Sequence, residues 1–144
     1  MIRKATQKDL IPIMKIWLDT NIHAHSFIPK EYWINNYTRV KELLPQAEIY
    51  VYEEKEKLLG FIGLMHAHIA GIFIKETAQS KGIGKELMNY AKKKYSALTL
   101  AVYQKNTRAI AFYARENFTR QEEHLDEETG EKEFIMLWKK ENLC

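Results

Sequence analysis

The segment "GIFIKETAQSKGIGKELMNYAKKKY" constrains this chain more than any other. An apolar run reads as a strand, the last residues read as a helix, and Gly82 and Gly84 stand between them. A helix start leaves its first backbone N–H groups without intrahelical partners, at the positive end of the helix dipole. Glycine has no Cβ, so a ligand can approach that backbone closely. Together these features predict a cradle for phosphate or pyrophosphate, with Lys81 and Lys85 adding positive charge. The alternative is a plain strand-to-helix turn. Spacing excludes two phosphate motifs: Glu86 stands where a Walker A loop needs Ser or Thr, and Leu87 where the dinucleotide fingerprint needs glycine.

The remaining pattern suits a mixed, mostly antiparallel sheet. "MIRKA" reads as a strand, and Thr6-x-x-Asp9 resembles a capping box ahead of a helix over about 7–22. Pro29 suits the first turn of a second helix, and Pro45 marks its end or the loop after it. "EIYVYEE", "LLGFIGLM" and "IAGIFIK" then predict three adjacent antiparallel strands. After the glycine helix come a strand "ALTLAVY", a helix "TRAIAFYAREN" and two strands around the turn "DEETGE". The order β-α-α-β-β-β-α-β-α-β-β predicts an α/β (α+β) fold of about seven strands flanked by about four helices, as one domain over residues 1–144.

Composition narrows the classes. Hydrophobic residues are 46% and charged residues 28%, which is globular, and the net charge of +3 argues against a nucleic-acid partner. No apolar run approaches the ~20 residues of a membrane span. The one cysteine, Cys144, allows no disulfide within the chain and suggests a cytoplasmic setting. His23, His25, His66 and His68 form two H-x-H pairs without cysteine or HExxH, so no metal site is expected.

Gln79-Ser80-Lys81-Gly82-Ile83-Gly84 matches the Q/R-x-x-G-x-G/A signature of the GNAT superfamily of N-acetyltransferases, and the chain resembles that family. "NTRAIAFYARENF" is similar to the family's N-x-x-A-x-x-F-Y-x-x-x-G-F segment, and the element order agrees. "HAHSFIP…YW" further resembles the small, stand-alone bacterial members. The resemblance implies that acetyl-CoA is the cofactor, with its pyrophosphate on the backbone of Gln79, Ser80, Lys81, Gly82, Ile83, Gly84 and Lys85. It implies that Ile72 and Ile74 hold pantetheine through their main chain, and that Asn106 touches coenzyme A, although Asn106 also suits an N-cap. It gives Tyr113 the role of general acid toward the leaving thiolate, since a phenol with a pKa near 10 stays protonated at neutral pH.

Where many members carry a glutamate base on the central strand, this chain has Ala70. His25, His66 and His68 are the candidates to replace it, and the resemblance implies that His25 comes from the helix pair that edges the acceptor site. His25, Phe27, Tyr32, Trp33 and His68 are the expected acceptor-binding residues, while Trp17 falls on the apolar stripe of the first helix. The acceptor is a small-molecule or peptide amine. The competing reading is an acyl-CoA sensor without turnover, to which Ala70 gives weight and Tyr113 does not. The aromatic second helix and "EFIMLW" leave a homodimer open.

Overall fold

Asp9 anchors the start of the chain. Its carboxylate accepts from the Thr6 backbone N–H at 2.7 Å and from the Arg3 guanidinium at 2.8 and 3.0 Å. The Arg3 pairing outweighs burial and holds the Asp9 carboxyl at about 2. The computed structural model describes residues 1–141, so Cys144 lies outside the described residues.

The elements follow the predicted order: β1 (Ile2–Lys4), α1 (Leu10–Ala24), α2 (Lys30–Leu43), β2 (Glu48–Glu54), β3 (Lys57–Met65), β4 (His68–Ile74), α3 (Ile83–Lys94), β5 (Ala97–Tyr103), α4 (Thr107–Arg115), β6 (Thr119–Asp126) and β7 (Glu131–Lys139). The first helix opens as a 3₁₀ turn at Gln7–Asp9 and then runs past its expected end to Ala24. Pro29 caps α2 instead of occupying its first turn, and Pro45 lies in a 3₁₀ turn beyond it. No helix among the described residues is long and apolar enough to cross a membrane.

The sheet order is β1-β2-β3-β4-β5-β7-β6, and every neighbouring pair is antiparallel except β4–β5. Helices cover both faces. Leu87, Met88, Leu98 and Leu100 are buried on the α3/α4 side, and Ile13, Met14, Val51 and Phe61 on the α1/α2 side. Each such side chain contributes roughly 1.5–3 kcal/mol of burial.

The parallel pair positions the site. Strands β4 and β5 are joined only at His68↔Thr99 and Ile69↔Leu100. On the other edge of β4 the register jumps from Gly63↔Gly71 to Leu64↔Ile69, which leaves Ala70 as an unpaired bulge residue. A bulge bends its strand and strengthens the local twist, turning the rest of β4 away from β5. Gly71 permits the bend, because a Cβ there would come within 2.4 Å of the Phe73 ring.

Candidate active site

The loop before α3 turns into the helix at Gly82. Gly82 is the N-cap residue with φ +83°, a left-handed conformation that favours glycine. The first intrahelical bond runs from Glu86 N–H to the Gly82 carbonyl at 3.1 Å. The N–H groups of Ile83, Gly84 and Lys85 therefore lie ahead of the helical ladder, with no intrahelical acceptor. The loop is held from both sides: the Gln79 amide donates to the Ile74 carbonyl at 3.0 Å, and Arg108 donates to Ser80 Oγ at 3.2 Å. Arg108 and Lys85 bring positive charge to this end.

A cleft of about 1240 Å³ runs from the loop along the open edge of β4 to the joint between α1 and α2. Ile72 and Ile74 line it, on the part of β4 that has no ladder partner in β5. Ile74 offers less than expected, because its carbonyl already accepts from Gln79. Ala70 faces the same space, so the bulge supplies no carboxylate.

Tyr113 lies in the wall of the cleft and is 8% exposed. Its ring packs against Phe112 and Phe118, with centroids 5.5 and 5.8 Å away. Burial pushes the phenol well above its ordinary range. Asn106 caps α4: Oδ1 accepts from the Ala109 N–H at 3.2 Å. That bond fixes the amide orientation, so its Nδ2 donates across the cleft to His25 Nε2 at 3.1 Å. The proton of neutral His25 is thereby assigned to Nδ1, which is buried without a partner among the described residues. His25 stacks on Trp33 at 5.3 Å and meets Phe27 and Tyr103 edge-on. Burial lowers its pKa to about 4.

Replacing Asn106 with alanine should therefore cost more than an ordinary cap. The cap contributes about 1 kcal/mol, and an orphaned buried acceptor on His25 adds about 1–3 kcal/mol. Urea titration should show a lower midpoint at unchanged slope. A loss under about 0.5 kcal/mol would mean that the His25 bond is not formed in solution.

The cleft gathers His25, Trp33, His68, Ile72, Ile74, Gln79, Ser80, Gly82, Ile83, Gly84, Lys85, Asn106 and Tyr113 of the expected site residues. Three others lie outside its lining. The Lys81 side chain is exposed. Phe27 packs behind His25, and the Tyr32 hydroxyl donates to Glu128 at 2.9 Å. Trp33 is buried and packs edge-on against Trp17. His66 sits in the β3–β4 turn with φ +56°, also away from the lining. The lining also holds residues that were not expected, among them Tyr103 and Glu133. These two face each other across β5 and β7. The alternation in "EKEFIMLW" marks a strand, but only the pairing register puts Glu133 at the cleft.

The Acetyltransferase (GNAT) family model matches residues 10–118. The chain is 37% identical over 140 residues to the peptidyl-lysine N-acetyltransferase YiaC of Escherichia coli, covering 96% of each sequence. Its fold is similar to the solution structure of apo YjaB from Escherichia coli, at 24% identity and a TM-score of 0.85 over 95% of each chain. It is also similar to the PaiA N-acetyltransferase of Thermoplasma acidophilum solved in complex with coenzyme A, at 23% identity and a TM-score of 0.73. That match covers 96% of this chain and 98% of the other.

Proposed function

Because the chain belongs to the Acetyltransferase (GNAT) family, we propose that it carries the acetyl group of acetyl-CoA to the side-chain amine of a lysine in a peptide or protein, with Tyr113 as the general acid. The whole chain acts as one such domain. The observation that carries this reading is a single cleft with a backbone N–H cradle at one end, an open strand edge along its middle and a buried phenol in its wall. The lysine acceptor is supported by the name of the YiaC relative.

The residues present fit acetyl-CoA. The N–H groups of Ile83, Gly84 and Lys85, with the Lys85 and Arg108 charges, suit a pyrophosphate. The unpaired edge of β4 around Ile72 suits an arm that carries amides. When bound, the thioester supplies an activated acetyl carbon and a leaving thiolate. Tyr113 keeps its proton at neutral pH because burial disfavours the phenolate, so its hydroxyl donates. Asn106 and His25 tie α4 to the α1–α2 joint and hold the two walls in register. His25 serves there as a positioning residue. Its Nε2 is engaged by Asn106, and Nδ1 carries the proton, so neither nitrogen offers a lone pair to an arriving amine. Trp33 and His68 complete the acceptor wall.

The test is a thermal melt with acetyl-CoA, with ATP and NAD as controls, followed by thiol release in the presence of lysine peptides. A ligand at a hundred times its dissociation constant adds about 2.7 kcal/mol, which raises the midpoint by roughly 8 °C for a chain of this size. A rise confined to coenzyme A thioesters, with thiol released only when peptide is present, is the expected result. A folded sample with no rise would remove the cradle and the enzyme reading together.

A further inference from the structure

Two carboxylates line the cleft, Glu116 and Glu133. Glu116 follows α4, is buried, and lies 3.5 Å from Lys92 Nζ, which also donates to the Glu116 backbone carbonyl at 2.6 Å. Its charge is matched inside the fold. Glu133 is placed differently. On β7 it stands directly opposite Tyr103 of β5 and His124 of β6. Cross-strand partners share a sheet face, so the Glu133 carboxylate lies on the same face as Tyr103, whose ring meets His25 and Phe27.

The Glu133 side chain is 14% exposed, and its Oε1 lies 2.8 Å from His124 Nε2. Among the described residues Oε2 has no hydrogen-bond partner, and no Lys or Arg nitrogen comes within salt-bridge distance of either oxygen. A largely desolvated carboxylate with an open oxygen beside aromatic rings favours a cation. The other end of the cleft has the opposite sign, from Lys85 and Arg108. An alkyl amine with a pKa near 10.4 arrives as an ammonium ion, and Ala70 leaves the bulge without a carboxylate to meet it.

We infer that Glu133 is the acceptor-binding residue of this cleft: Oε2 receives the ammonium of the incoming lysine, while His124 holds Oε1. The cleft thereby selects cationic amines. This inference rests on the lysine acceptor proposed above and goes beyond it by naming the group that recognises the charge.

The experiment compares wild type and Glu133→Gln on two acceptors at saturating acetyl-CoA. One is a short lysine peptide. The other is the same peptide with a side chain ending in –O–NH₂, which is uncharged at neutral pH. For the lysine peptide, Glu133→Gln should raise KM roughly tenfold to a hundredfold, as loss of a charge-assisted hydrogen bond predicts. Its KM for the uncharged acceptor, its acetyl-CoA affinity and its melting temperature should stay near wild type. Glu133→Asp, which keeps the charge, should recover most of the loss. An unchanged KM for the lysine peptide, or an equal rise for both acceptors, overturns the inference. If Glu133→Gln does not fold, wild type alone decides: equal KM values for the two acceptors overturn the inference, and a clearly lower one for lysine upholds it. A wild type that binds acetyl-CoA and acetylates no lysine peptide defeats the proposed acceptor and the inference together. An active wild type matched by Glu133→Gln defeats the inference alone.

Discussion

Tyr113→Phe should lower turnover by about a hundredfold or more while acetyl-CoA affinity and the melting temperature stay close to wild type. The separation follows from what the substitution removes. The ring is held by Phe112 and Phe118, and phenylalanine keeps that packing. The hydroxyl has no hydrogen-bond partner among the described residues, and burial is what shifts its pKa. Removing it orphans no other buried group, so the stability cost is small. Burial also holds the phenol protonated well into the alkaline range, which suits a donor to a departing thiolate and not a base. Measured kcat from thiol release, with the acetyl-CoA dissociation constant from titration, checks both halves. Full turnover in the variant would assign protonation of the thiolate to water or another side chain. A large loss of acetyl-CoA affinity would instead make Tyr113 part of the binding wall.

Local features of this protein were legible in its sequence, and non-local ones were not. The order of strands and helices follows from period changes and turn residues, because each element is built from neighbours along the chain. The left-handed turn at Gly82 ahead of α3 follows likewise, since it is set by the backbone of one loop. The packing of Trp33 was not legible, because its partners Trp17 and His25 come from α1 and its end. The His25–Asn106 bond joins residues 81 apart. Glu133 depends on the register of β7 against β5, where a slip of one residue would turn it to the other face. Side-chain pairings of this kind arise only after the sheet is assembled.

The second large effect concerns acid, and it follows from that same long-range bond. An unfolded chain protonates an ordinary histidine near pH 6.5, whereas folded His25 resists until about 4 because it is buried. Between those values the unfolded state binds more protons, so stability rises with pH across the window and is lost as pH falls through it. A gap of this size corresponds to about 3 kcal/mol. The bond to Asn106 explains why the fold cannot simply absorb the charge. A proton on Nε2 would face the Asn106 amide as donor against donor, and rotating the amide would break its cap to the Ala109 N–H. Acid should therefore loosen the α1–α2 joint from α4, at the His25 end of the cleft. His68 is shifted in the same direction by burial and adds to the slope, while the Asp9 contribution is lost only at lower pH. Urea unfolding of wild type and His25→Gln at several pH values between 4 and 7 separates these parts. The variant should lose most of the wild-type slope and keep the smaller share due to His68. Parallel profiles for the two proteins would mean that His25 titrates normally in the folded state, and the assigned bond to Asn106 would be wrong.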